Sequence, residues 1–165
     1  MILRCTAKML TLLGVRVTAL FDVPPSPDDW YLNLLWIERR KCLLLTNAGT
    51  LFSVFAADVR KTDITPIGPY VVGLVEGHLR AEGLAADTLG RLDPNDVHPA
   101  KTASRNILGV MNNVAFHARY RIEAMGGIDR SDTLFLNRLL RRALHNQAGD
   151  YVTPLDLVAQ RLRFE

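Results

Sequence analysis

The sequence predicts an α+β domain: a small antiparallel sheet, made of an N-terminal strand plus a three-strand meander, packed against a long central helix with additional C-terminal helices. Three observations point there. Strand-length apolar runs cluster early, as WYLNLLWI (30–37), CLLLT (42–46) and TLFSVF (50–55). A helical apolar period dominates later, with Ile107, Met111, Val114, Ala118 and Ile122 three or four residues apart. Strands gathered before helices, rather than alternating with them, separate α+β from α/β.

In chain order, MILRC (1–5) reads as a short strand and Thr6 as a cap for a helix over 7–13, which Gly14 can close in the left-handed region. VPPSPDD (23–29) is a surface loop, because proline fixes φ and removes donors. The charged turn Glu38-Arg39-Arg40-Lys41 and the turn Asn47-Ala48-Gly49 join the three apolar runs into a meander. Pro69 fits a first helical turn, followed by Val71, Val72, Val75 and Leu79 on one stripe ending near Gly83. Residues 86–100 are loop-rich, with room for one short turn or strand. The central helix is expected over 103–125, ended by Gly126-Gly127. Ser131 is a cap for a helix over 132–147 with Arg138, Arg141 and Arg142 on its exposed side. Thr153-Pro154-Leu155-Asp156 starts a last helix that runs to about 163. No internal repeat is present, and 165 residues suit a single domain (1–165), with 1–125 as a core and 126–165 as a C-terminal helical extension.

Composition narrows the function classes. The N-terminal apolar stretch is interrupted by Arg4 and Lys8, too short for a membrane span and unlike a secretory leader, so the expectation is a cytoplasmic protein with no membrane association. Cys5 and Cys42 lie in apolar runs without a partner at metal spacing and read as two buried thiols. His78, His98, His117 and His145 form no HxH or HxxxH pair, so neither a metal nor another cofactor is expected. There is no glycine-rich phosphate loop, no nucleophile elbow and no paired carboxylates. Residues 101–145 carry eight Lys and Arg against three Asp and Glu, whereas the flanking segments each sum to −1. That surplus favours an anionic partner but is too sparse for a dedicated duplex binder.

Candidate sites follow from that surplus. Lys101, Thr102, Ser104 and Arg105 stand at the start of the central helix, where free amides and the dipole favour an anion. The same residue types also make an ordinary cap. Arg40 and Lys41, in the charged turn, join that set if the turn folds beside it. Asn33 interrupts an apolar strand face and needs a hydrogen-bonding partner. Gly109, Asn112, Asn113 and Phe116 form either a close-packing contact or a ligand-facing patch. Trp30, Tyr31 and Trp36 are core side chains or stacking platforms.

The blocks RCTAKML, WYLNLLWIERRKCLLLTNAGTLFSVF and AKTASRNILGVMNN, in this order, resemble a family of small bacterial and archaeal proteins known as a domain of unknown function. The resemblance spans about residues 1–125. A similar Lys-Thr-x-Ser-Arg…Leu-Gly-x-Met-Asn block is associated with plasmid-borne reading frames. The resemblance marks Arg4, Thr6, Lys8, Asn33, Arg40, Lys41, Thr46, Asn47, Thr50, Lys101, Thr102, Ser104, Arg105, Gly109 and Asn112 without implying an activity. The expected function is a non-enzymatic binding module for an anionic partner, nucleic acid among the candidates. Lys101, Thr102, Ser104 and Arg105 form its clamp, with Arg4, Lys8, Arg40 and Lys41 nearby and Asn33 and Asn112 as a polar pocket. Two alternatives stay open: an enzyme acting on a phosphodiester or nucleotide, and a protein-interaction component such as one half of a toxin–antitoxin pair.

Overall fold

The computed structural model describes residues 1–147 and 149–164. Five strands, β1 (Ile2–Cys5), β2 (Trp30–Ile37), β3 (Arg40–Asn47), β4 (Ser53–Ala56) and β5 (His98–Lys101), form one sheet in the order β4-β3-β2-β1-β5. Helices α1 (Ala7–Leu13) and α2 (Ile67–Ala81) cover one face. On the opposite face lie α3 (Arg105–Ala124) and α4 (Thr133–Arg141). A small hairpin, β6 (His145–Gln147) with β7 (Asp150–Val152), and α5 (Pro154–Phe164) follow.

The α+β class holds, and the meander β2-β3-β4 is antiparallel as expected. The sheet as a whole is mixed, however. β1 pairs parallel with β2, Cys5 opposite Leu32, and parallel with β5, Cys5 opposite Lys101. A parallel neighbour needs a long crossover. Here α1 and the 14–29 segment supply one, and α2 with the loop-rich segment supplies the other. β5 is the strand for which residues 86–100 had left room.

The strand runs explain why helices cover both faces. WYLNLLWI and CLLLT are apolar at nearly every position rather than at alternate ones, the pattern of strands buried on two sides. Trp30, Leu32, Leu34, Leu43 and Leu45 point toward Met9 of α1 and Val71, Val72, Val75 and Leu79 of α2. Tyr31, Leu35, Ile37, Cys42 and Leu44 point toward Ile107, Met111, Val114 and Ala118 of α3 and Leu136 and Leu140 of α4. Both cysteines are buried and unpaired, and burial pushes the Cys5 thiol up to about 12.

Several boundaries shift. Ser104 is the residue that caps α3, its Oγ accepting from Ile107 N at 3.3 Å, so the helix starts at Arg105. Asp132 rather than Ser131 caps α4 through Phe135 N. The helix expected over 132–147 stops at Arg141, and the hairpin replaces its second half. Arg141 is not on a solvated side: it is fully buried, its Nη2 donating to Glu82 Oε1 at 2.7 Å, because Glu82, side-chain exposure 3%, closes the end of α2 against it. Gly109 makes no close contact, since a Cβ there would meet nothing within 4 Å.

The exposed edge of β4 is closed by a side chain. Asn137 of α4, wholly buried, accepts from Phe55 N at 2.7 Å and donates to Phe55 O at 2.8 Å, much as a further strand would. Arg141 adds a longer bond to Ser53 O at 3.4 Å. Edge backbone groups that would otherwise be buried without partners are thereby satisfied.

Candidate binding site at the carboxyl edge of the sheet

The chain leaves the carboxyl end of β1 into α1 on one face, and leaves the carboxyl end of β5 into α3 on the other. Adjacent parallel strands whose following helices diverge leave a crevice between them, the usual place for a ligand in open α/β sheets. Lys101 and Thr102 stand in it. Both line a cavity of about 400 Å³ with Arg4, Phe21, Asp22 and Val23, and an adjoining, more apolar one of about 460 Å³ with Cys5, Ala7, Leu10 and Val15.

Arg4, assigned to the clamp, is committed elsewhere. Its guanidinium is 3% exposed, and its Nε donates to Asp29 Oδ2. Nη1 donates to Lys101 O at 3.0 Å, while Nη2 donates to Val23 O at 3.0 Å and Pro24 O at 2.9 Å. It ties the proline-rich loop to β5, and every donor atom is used. A buried pair of this kind costs stability when either partner is removed.

Arg40 is also committed. Nη1 and Nη2 donate to the two carboxylate oxygens of Asp129 at 2.7 and 2.9 Å, which raises its pKa above the ordinary arginine value, and Asp58 lies 3.5 Å away. The β2–β3 hairpin turns on only two residues, Glu38 at φ 49° and Arg39 at φ 65°, neither of them glycine. Glu38 Oε2 accepts from Ile128 N at 3.1 Å, so this strained tip is held down on the segment between α3 and α4. Lys41 lies across from Trp36 in the strand register, its ammonium 5.1 Å from the ring centre.

A second pocket of about 400 Å³ opens on the other side of the α1 start, lined by Lys8, Asn33, Leu34, Leu35, Trp36, Asn112, Ala115, Phe116 and Arg119. It exists because β1 stops before β2 does. Thr6 N donates to Leu32 O at 3.1 Å, beyond which residues 33–37 have no strand beside them on that side. Asn33 finds its partner there, accepting from Thr6 Oγ1 at 2.9 Å. Asn112, Ala115, Phe116 and Arg119 fall on one stripe of α3, at spacings of three and four from end to end. Trp36 is 51% exposed and Phe116 66%, so Trp36 is not core, unlike Trp30 and Tyr31. No carboxylate belongs to the lining, and among the described residues neither Lys8 nor Arg119 forms an ion pair.

The residues named from sequence thus divide. Lys8, Asn33 and Asn112 converge in one pocket; Lys101 and Thr102 line the neighbouring crevice. Ser104 serves as the cap, Arg105 is exposed at the start of α3, and Arg40 lies at the hairpin tip with its own carboxylate. Arg119 went unnoticed, although its spacing of seven from Asn112 places it on the same helical face. A family model described as "Domain of unknown function (DUF6933)" matches residues 2–157. The chain belongs to this family. The match runs well past residue 125, through α4, the hairpin and the start of α5, and α4 is part of the core. No curated protein and no solved structure matches the chain. No helix among the described residues is long and apolar enough to cross a membrane.

Proposed function

We propose that this protein is a non-enzymatic binding module for an anionic partner, engaged at the pocket between α1, the free half of β2 and α3. One observation carries this reading: Lys8 and Arg119 face a pocket of about 400 Å³ that also presents Asn33 and Asn112 and contains no carboxylate. Two cations that neutralise no internal acid attract an external one, and a concave surface strengthens the local field. The lining residues are cations, amides and apolar groups, suited to holding an anion rather than to moving protons near neutrality. Lys101 and Thr102, across the start of α1, line the neighbouring crevice and would lengthen the contact for a partner larger than one anionic group.

The test is calorimetric titration of the full chain with inorganic polyphosphate across a salt series. Affinity should fall as salt rises, and Lys8→Ala with Arg119→Ala should flatten the log–log salt slope by about one for each cation removed. Undiminished affinity and slope in a double variant with wild-type circular dichroism would sink the proposal.

A further inference from the structure

We infer that the anion taken by this pocket is a single-stranded nucleic acid, with a base held against Trp36 and Phe116 while Lys8 and Arg119 meet its flanking phosphates. This rests on the anion-binding reading above and names its partner class. The first support is the pairing of chemistries. Trp36, on the strand face of Leu34, and Phe116 of α3, on the opposite face, flank the free edge of β2 together with Lys8, Arg119 and no acid, and that combination is what a base-bearing polyanion requires. A plain polyanion would leave both rings, 51% and 66% exposed, without a role.

The second support is the strand edge itself. Leu32 O faces β1, because it accepts from Thr6 N. Alternation along a strand turns the N–H and C=O of Leu34 and Trp36 to that same side, where β1 has already ended. Both residues line the pocket, so its wall presents backbone donors and acceptors beside the side-chain amides of Asn33 and Asn112. Asn33 Oδ1 is occupied by Thr6, which leaves the Asn33 amide nitrogen as a donor. These groups suit the hydrogen-bonding edge of an unstacked base. A base within a duplex cannot enter, since its edge and both faces are already engaged. The third support is the ammonium of Lys41, 5.1 Å from the Trp36 ring centre, which braces that ring against β3.

The experiment compares four probes by anisotropy with the full chain: a labelled oligothymidylate of about ten nucleotides, within the usual site range, the same strand without bases, its duplex form, and a poly-glutamate peptide. The base-bearing single strand should bind at least about tenfold tighter than the abasic strand, since stacking contributes about 5–150-fold per base. Trp36→Ala should erase most of that difference, weakening the base-bearing strand at least about fivefold more than polyphosphate, and Trp36→Phe should restore part of it. Lys8→Ala with Arg119→Ala should weaken both ligands. Equal binding of abasic and base-bearing strands, or a Trp36→Ala variant that still discriminates them, overturns the inference and leaves the anion reading intact. Tighter binding of the duplex, or of poly-glutamate, overturns it in favour of that ligand. Failure of every probe at low salt overturns both readings.

Discussion

Replacing Asn137 by alanine should be among the most damaging changes in the molecule, although the side chain does not line the candidate pocket. The amide is wholly buried and closes the outer edge of β4 through Phe55 N at 2.7 Å and Phe55 O at 2.8 Å. It also donates to Thr133 O at 2.9 Å, a carbonyl one turn back in the same helix that does not depend on it. Truncation therefore orphans two backbone groups on a strand whose residues are all buried. An unsatisfied buried group costs about 1–3 kcal/mol, so the expected loss is about 2–5 kcal/mol after partial relaxation. For a domain of this size, that lowers the melting temperature by roughly 4–20 °C. Urea unfolding followed by circular dichroism measures the loss, and amide exchange should show Phe55 losing protection first. Asn113→Ala, on the exposed face of α3, is the control and should change stability by no more than about 0.5 kcal/mol. A loss below about 1 kcal/mol with an unchanged urea dependence would show that β4 does not need its side-chain cap.

Acid should destabilise the fold through the cluster behind β4. Burial first, and then the charge of Arg141 3.4 Å away, lower His78 to about 4 from an ordinary value of 6.5, with Glu82 opposing. The unfolded chain thus takes up this proton first, and stability falls as pH drops from about 6.5 to 4. The full shift corresponds to about 3 kcal/mol, and roughly half survives the partial exposure of the ring. His145, lowered by burial and then by the charge of His117, acts in the same direction. Burial raises the Glu82 carboxyl, but hydrogen bonds from Arg142 and Arg141 outweigh it and hold the group below the ordinary range, so its contribution is lost at still lower pH. His78→Asn should flatten the upper part of this profile, measured as urea midpoints against pH; an unchanged slope would reassign it. At the hairpin tip, Arg39→Gly should stabilise by about 0.5–1 kcal/mol, because Arg39 holds φ 65°. A loss on thermal unfolding would show that Arg39 makes a contact worth more than its strain.

Part of the candidate pocket's lining was legible in the sequence, and the rest was hidden for identifiable reasons. Asn33 announced itself because a neutral amide on an apolar strand must find a partner, and Thr6 is that partner. Lys8 and Asn112 came with the same blocks and do line its pocket. Arg4 and Arg40 misled, because composition cannot distinguish a free cation from one whose carboxylate lies 25 or 89 residues away. The parallel pairing of β1 was equally invisible. Three apolar residues and an arginine carry no mark of direction, and β5, with a histidine, a proline and a lysine, has almost no strand signature.

By itself the sequence determined the elements whose signals are local. The apolar runs marked the strands of the meander, and the 3.6-residue period marked α3 to within two residues at either end. Only the tertiary structure decided which cations remain unpaired and where β2 outruns β1. Those are outcomes of register and of contacts between residues distant in the chain, and the energy of an ion pair or a strand edge depends on what stands opposite it. The pocket of Lys8, Asn33, Trp36, Phe116 and Arg119 draws on three separate elements and exists only once they are brought together.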